Sequence, residues 1–600
     1  MSTTSTPSMS TTSTPPYWKF DNSVCHAIWQ LVEPDSKRVS EISTRLHVSP
    51  FMAQNLARLS LADDEIPHFL SPGFSDIHDP FLMHDMKKAV DRVRDALETG
   101  EKIRIVTDYD ADGTTSSIIL QSTLTLWSKK HHTKPLQLSW HIPDRKQEGY
   151  GLTEIAVRKA ITDGIELLIT ADIGVRDIIP ISIAKEAGID VIVLDHHLPK
   201  GCGVPEDAYA VLCPLQPNCQ YPNKSLAACG ISLKFSHAMF AEMNNLEAFL
   251  KSLMMLAALG TVADVVSLRD LENRAIVTLG LEGLNHDIRN IGLKALLSVS
   301  QINPGHITAE DIGFSIGPRI NAAGRLTNAL HIIDLLRAPN EVCANALALQ
   351  LNDLNAIRQA IQTEMVNQAL EETKGCEDPF IFVVHPETES WHSGVAGIVA
   401  GKIREVLHRP VAVATTQGST ITGSIRSIPG VHAVEALTSV SHYLIKFGGH
   451  AAAAGFSFDA KYLSEVHAGL CQNVLEQLGK AYESPQYDVH FMLDTTQLVP
   501  ETFETLMRLE PCGTLNPKPT ICVSHVTFHN IRWLKDVHFQ AEIVQNNRFI
   551  RVLWFFPPAP LHDILNDSKA KFDVIGSFSR EFRNGVERYT MRIQDIRKCE

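Results

Sequence analysis

Nowhere in these 600 residues does an apolar run continue far enough to cross a bilayer. The nearest candidate, Leu253 to Leu268, is broken by Gly260 and Asp264 and has no basic flanks. It reads as a buried segment carrying one carboxylate, and no membrane partner is expected. The first sixteen residues are Ser, Thr and Pro apart from two Met, with neither a basic start nor an apolar centre. They read as a disordered tail (1–16), not a secretory signal. No CxxC pair recurs, and eleven Cys is an odd number. That argues against a disulfide framework and fits reduced thiols and a cytoplasmic location. Cys202, Cys213, Cys219 and Cys229 are loosely grouped, but their spacing matches no zinc knuckle. A basic excess is missing too: the net charge of −14 argues against non-specific nucleic-acid binding by the whole surface. From Leu515 onward, however, thirteen Lys/Arg stand against nine Asp/Glu, a net of +4. The acids are concentrated upstream of that point.

What is present is an ordinary cored protein. The chain is 44% hydrophobic and 20% charged, and its length implies two to four domains. Residues 17–95 read as a helical segment, from the apolar spacing of Cys25–Leu31 and Phe51–Leu59. An α/β rhythm follows in 96–340. Strands are expected at Ile103–Thr107, Leu167–Ala171 and Asp190–Leu194, and helices over Thr114–Trp127 and around Ile178–Ala187. Alternation of this kind implies a parallel sheet, whose ligands sit beyond the carboxyl ends of the strands. A long connecting helix is expected over 341–374. A second α/β unit follows in 375–482, with a strand at Phe380–Val384, a helix at Gly397–Leu407 and a strand at Val411–Ala414. From 483 to 600 the period falls to two, and Asn584-Gly585 marks a hairpin, so the chain ends in a small all-β domain.

Three Asp at alternate positions, Asp108, Asp110 and Asp112, come directly after the first strand. Packed at a strand end they repel unless a divalent cation resolves the repulsion, and hard oxygen ligands suit Mg²⁺ or Mn²⁺. Asp172 ends the next strand, and Asp195, His196 and His197 end the one after. Three neighbouring strands thus deliver carboxylates and imidazoles to one edge. Asp264 lies in an apolar run, where a lone carboxylate is costly unless it is paired or metal-bound; it is expected as a further ligand. Two metals at such a site suit phosphoryl chemistry, with Asp172 as the bridge. Asp110-Ala-Asp112-Gly-Thr-Thr also fits the DxDGT motif of haloacid-dehalogenase-like phosphatases. That alternative needs a downstream Lys and an acidic pair, and it leaves His196-His197 unexplained.

The ordered segments Asp108-Tyr-Asp-Ala-Asp-Gly, Ala-Asp172-Ile-Gly, Asp195-His-His and Gly260-Thr-Val-Ala-Asp264 resemble the DHH phosphoesterase superfamily. The resemblance implies that Asp108, Asp110 and Asp172 hold one metal and that Asp112, Asp172, His196 and Asp264 hold the other. Asp195 and His197 then lie beside the metals or face the phosphate as catalytic groups. Ile173 departs from the Asn or Cys common after the second motif. Further segments resemble the RecJ family of bacterial single-strand-specific 5′→3′ DNA exonucleases. They lie around Arg145, Glu148, Arg319, Asn321, Arg325, Trp391, Lys446 to His450 and Leu509 to Asn516. Cys512, Thr514 and Leu515 depart from that family's usual last motif. The second α/β unit resembles the DHH-associated domain, and the last domain an OB-fold.

Ser424 and Arg426, two apart on a strand, put a hydroxyl and a guanidinium on one side, fit for a phosphate. Gly448-Gly449-His450 before an alanine run reads as a helix start with free amides, a further anion site. The resemblance implies that Ser424 and Arg426 grip a 5′-terminal phosphate and that Arg145, Arg319, Asn321 and Arg325 line the path of a single DNA strand. Trp533 and Phe539 are expected as stacking aromatics. It also implies a monomer supplied by a single-strand-binding protein and a RecQ-type helicase. An enzyme of short oligonucleotides or nucleotide phosphates is the alternative, and the OB-like domain argues against it.

Overall fold

A computed structural model describes residues 17–18, 23–144, 148–199, 201, 203–479, 485–534, 537–558, 561, 565, 570–583 and 586–599. The tail 1–16, Arg145, Cys202 and the Asn584-Gly585 turn lie outside the described residues. The chain divides into two compact units. One takes the residues up to Leu61, those from Lys480 to Leu509 and those from Lys518 on, and opens with strands β1 (Tyr17–Trp18) and β2 (Ile28–Leu31). The other runs from Ala62 to Gly479 and takes in Glu510–Pro517.

In this second unit β3 (Lys102–Thr107), β4 (Gln137–His141), β5 (Leu167–Ala171), β6 (Asp190–Leu194) and β7 (Ala210–Leu212) form a parallel sheet in the order β4-β3-β5-β6-β7. β5 is buried throughout and β3 and β6 nearly so, because helices cover both faces and each strand must be apolar on both sides. Thr107 pairs with Ala171 and Ala171 with Leu194, so β3, β5 and β6 end level with one another. The helix after β3 spans Ala111–His131 and starts three residues before the expected Thr114. Asp110 caps it, accepting from the amides of Asp112 and Gly113, and an Asp cap outweighs the glycine as a helix start.

The Leu246–Ala263 helix is long and apolar enough to cross a membrane by length and composition alone. Its residues from Leu253 to Thr261 are buried, and it packs against the Ala111–His131, Ala228–Met239 and Leu271–His286 helices. An all-round apolar helix is what the centre of a core requires.

The Glu341–Glu372 helix, as expected, leads to a second sheet. Its strands are β8 (Ile381–Pro386), β9 (Val411–Gln417), β10 (Thr420–Arg426), β11 (Leu444–Gly449) and β12 (Ala453–Asp459), in the order β11-β12-β10-β9-β8. β8 and β9 are parallel and the other pairs antiparallel. The helix between β8 and β9 spans Ser393–Leu407, four residues longer at its start than expected. The helix expected after Gly448-Gly449-His450 is absent: these residues close the β11–β12 hairpin. The His450 amide donates to the Ala453 carbonyl, and Gly449 has φ +149°, a conformation that favours glycine. Ala454, Phe456 and Phe458 are buried at every second position, so period-two burial carries the alanine run into a strand.

The first unit holds β13 (Gln486–Val489), β14 (Phe491–Leu493), β15 (Ile521–Leu534), β16 (His538–Gln545), β17 (Arg548–Phe555), β18 (Phe572–Arg583) and β19 (Val586–Lys598). β15 pairs with both β16 and β18, and β19 with both β17 and β18, which closes the sheet into a small barrel of OB type. β18 and β19 pair antiparallel up to Arg583 and Val586, on either side of the Asn584-Gly585 position. The helices Ser36–Leu46 and Pro50–Arg58 agree with the expected N-terminal helical character. Cys25–Leu31 does not: it leads into β2, which pairs in parallel with β13. Trp29 is fully buried there and its indole N–H donates to Asp595, so partners far along the chain override the local helical spacing. Phe539 is fully buried as well, on the inner face of β16 with Ala541 and Ile543, and is no platform for bases. Trp533 is half-buried and edge-on to it.

Candidate active site

Asp108, Asp172 and Asp195 each follow directly on one of the level ends of β3, β5 and β6, which places them side by side. Asp172 has φ 64°, and Val265, next to Asp264, has φ 62°. Positive φ is strained for both, and for a β-branched residue it is an outlier; strain of this kind collects where a site dictates the geometry. Asp264 caps the carboxyl end of the Leu246–Ala263 helix. All eight residues expected at the metal edge are therefore brought together.

Six of them form two groups, and Asp172, His196 and His197 make a third that overlaps both. One ligand atom each from Asp108, Asp110 and Asp172 lie within 4.8 Å of one another, as do those of Asp112, His196 and Asp264. His196 Nε2 stands 3.3 Å from Asp172 Oδ1, 3.5 Å from Asp264 Oδ2 and 3.9 Å from Asp112 Oδ2, and this buried atom makes no hydrogen bond among the described residues. Neighbouring ligands of an ion held at about 2.1 Å are roughly 3 Å apart, so these spacings fit a cation among them. A buried imidazole nitrogen facing three carboxylates without bonding any is a donor set for a metal.

The electrostatics agree. Burial pushes the Asp172 carboxyl well above the usual carboxylate range, and Asp110, Asp112, Asp108 and Asp264 push it further. Asp264 is raised in the same way by burial and then by Asp112. Asp110 is raised by burial and by Asp112, although it accepts two backbone amides. Burial lowers the His196 imidazole, which favours the neutral form a metal requires. Both oxygens of Asp112 accept amides of the Ala228–Met239 helix start, Ala228 and Cys229, each at 2.7 Å. Those two bonds fix the plane of the carboxylate.

Asp195 works through its neighbour. Its Oδ1 accepts from the ring Nδ1 of His197 at 2.8 Å and its Oδ2 from the Val175 amide at 2.9 Å. Burial opposes charge on both, yet their pairing wins: Asp195 is held below its ordinary range and His197 above its own. The Nδ1–H so fixed turns Nε2 toward the Tyr150 hydroxyl, 3.1 Å away, and that hydroxyl also lies 3.3 Å from the Asp172 carbonyl. Sequence reasoning missed Tyr150. Its flanking glycines, Gly149 and Gly151, both at positive φ, were the available indication. The His450 ring lies parallel to His197 at 6.3 Å, which brings the β11–β12 turn to the acidic edge.

A second group lies on β10. Arg426 Nη1 donates to Ser424 Oγ at 2.9 Å, confirming that the two share a side of the strand. Both face the first turns of the Ser393–Leu407 helix at Gly397, where a Cβ would come 3.0 Å from Arg426 Nη2 and 3.1 Å from Ser424 Oγ. The close approach of strand and helix start is what requires glycine. Arg325 reaches the same helix start through the Gly394 carbonyl. Arg319 donates to Asn352 and to Ser315, and Asn321 accepts the Ala111 amide at its side-chain Oδ1, so Asn321 secures the start of the helix behind Asp110.

The raised carboxyls of Asp110, Asp172 and Asp264 bind protons more tightly in the fold than in the unfolded chain, so the metal-free fold loses stability as pH rises above the usual carboxylate range. A cation that replaces those protons gains most where they are hardest to keep. The rise in melting temperature on adding Mn²⁺ should therefore be small near about pH 5 and largest above about pH 7. Thermal unfolding with and without Mn²⁺ across that interval measures it, and an increment independent of pH contradicts it.

Comparison with known proteins places the chain in a family. The DHH family N-terminal domain matches residues 102–261, the DHHA1 domain residues 379–483 and the RecJ OB domain residues 489–595. The single-stranded-DNA-specific exonuclease RecJ of Salmonella typhimurium is 36% identical over 451 residues, 72% of this chain and 76% of that protein. The Bacillus subtilis protein of the same name is 36% identical over 509 residues, 84% of this chain but only 62% of the relative's length. The crystal structure of Thermus thermophilus RecJ in complex with Mn²⁺ is 28% identical, with a TM-score of 0.78 over 95% of this chain and 80% of that one. The DHH, DHHA1 and RecJ OB domains thus stand in one chain, and the chain belongs to the RecJ family.

Proposed function

We propose that this chain is a metal-dependent exonuclease that removes 5′-mononucleotides from single-stranded DNA in the 5′→3′ direction. The observation that carries this is the pair of ligand triads, Asp108, Asp110 and Asp172 and Asp112, His196 and Asp264, linked where His196 Nε2 stands 3.3 Å from Asp172, in a chain that also matches the RecJ OB domain. Asp108, Asp110 and Asp172 hold one cation, and Asp112, Asp172, His196 and Asp264 the other. Two divalent cations, Mn²⁺ or Mg²⁺, supply when bound there the Lewis acidity that activates water and neutralises charge growing on the phosphate. The chain's own residues do the rest. Asp195 positions His197, whose imidazole faces the phosphate beside Tyr150. Ser424 and Arg426 hold the 5′-phosphate, and Arg145, Arg319, Asn321 and His450 bear on the strand leading to it. Phe549, 64% exposed on β17, takes the stacking role that the buried Phe539 cannot.

The enzyme acts as a cytoplasmic monomer in DNA repair and recombination, on strands delivered by a single-strand-binding protein and a RecQ-type helicase. A 5′-labelled single-stranded oligonucleotide with Mn²⁺ should yield labelled mononucleotide from the first time point, and a chelator should stop it. Blunt duplex should persist. Label released first from the 3′ end, or from duplex, overturns the reading.

A further inference from the structure

The barrel unit carries its own group of ligand-type side chains. β15 pairs with β18 through a register shift between Val523 and Val526, and the irregularity leaves His525 with φ 57°. Its amide donates to Asp573 Oδ1 at 2.9 Å, and its ring Nδ1 stands 3.9 Å from the same oxygen. On the other side of β18, Asp573 pairs with Arg597 of β19, and Cys599 follows just beyond that strand, anchored by its amide to the Lys571 carbonyl. The Cys599 thiol lies 3.3 Å from Asp573 Oδ1. One nitrogen, one oxygen and one sulfur, from three neighbouring strands, thus lie within 4.8 Å of one another.

We propose that His525, Asp573 and Cys599 bind a zinc-class divalent cation that fastens β15, β18 and the end of β19 together. Mixed N, O and S donors select Zn²⁺ or Co²⁺ over Mg²⁺, and ligands held at about 2.0–2.3 Å around a tetrahedral ion are roughly 3.3–3.8 Å apart. Arg597 accounts for the other carboxylate oxygen: its Nε and Nη2 donate to Oδ2 at 2.9 and 2.5 Å. That pairing fixes the carboxylate plane and presents Oδ1 to the histidine and the thiol, as an outer partner does for a metal ligand. An ion pair alone explains Asp573 and Arg597. It does not explain why a strained His and a Cys converge on the opposite oxygen.

Titration of the full chain with Co²⁺ in excess Mg²⁺ tests this. A thiolate-to-cobalt charge-transfer band should grow to one equivalent, persist unchanged in Asp172→Ala and vanish in Cys599→Ser. His525→Ala, a change at an exposed side chain, should weaken cobalt binding by about tenfold or more. Absence of the band in the unaltered chain overturns the proposal. So does a band that survives Cys599→Ser, or one lost in Asp172→Ala, which would belong to Cys229 beside the acidic edge.

Discussion

Asp172→Ala is expected to abolish measurable hydrolysis of single-stranded DNA, while the chain still folds. In the proposed assignment Asp172 is the one carboxylate common to the two ligand sets, so its loss weakens both cations at once. Metal-derived stabilisation of a phosphoryl transition state amounts to several kcal/mol, which is on the order of 10³-fold in rate or more. The opposite sign is expected for stability without metal. Burial, and after it the nearby Asp110, Asp112, Asp108 and Asp264, raise the Asp172 carboxyl well above the ordinary range. Asp172→Asn keeps the volume and removes the charge, so the metal-free variant should melt about a few degrees higher than the metal-free parent. It should also lose the Mn²⁺-induced rise. Initial rates on labelled oligonucleotide and melting curves read these effects separately. A variant with parental activity would defeat the two-metal assignment.

The second large effect is expected at Arg426. Its guanidinium and the Ser424 hydroxyl face the start of the Ser393–Leu407 helix at Gly397. Arg426→Ala should reduce the preference for a 5′-phosphorylated over a 5′-hydroxyl oligonucleotide by roughly 10–150-fold. That range corresponds to one charge-assisted hydrogen bond of about 1.5–3 kcal/mol. The loss should fall on kcat/KM for the phosphorylated strand and leave the hydroxyl strand nearly unchanged. An equal loss on both substrates would mean that Arg426 supports the strand and helix instead of reading the terminus.

Much of the acidic edge was legible in the sequence for a simple reason. Each acidic group follows an apolar strand of five or six residues, and a parallel sheet aligns those ends. Asp264 was legible because a charge in an apolar run demands compensation. What escaped depends on partners that local patterns do not encode. β2 looked helical because its partners, β13 and Asp595, come hundreds of residues later. Gly448-Gly449-His450 had the composition of a helix start, while the buried Phe456 and Phe458 further on decided for a strand. In β16 the period of two was plain, yet alternation does not say which face turns inward, so Phe539 was placed on the wrong side. Asp112 shows the same limit: both its oxygens accept amides from a helix more than a hundred residues away, a role its motif does not disclose.

The pairing of β2 with β13 has a temporal side. Trp29 meets Asp595 across 566 residues, so the two ends of the barrel unit are synthesised far apart. At ribosomal speeds of about 5–20 residues per second, the interval is roughly 30–110 s. Until β13 is made, the Ala27–Leu31 segment lacks its parallel partner, while the Ala62–Gly479 part of the other unit is already present and only its Glu510–Pro517 part is still to come. A nascent chain thus carries an unsatisfied strand edge at its front for a minute or so, and a truncation or tag reaching Trp29 acts on the opposite terminus of the protein.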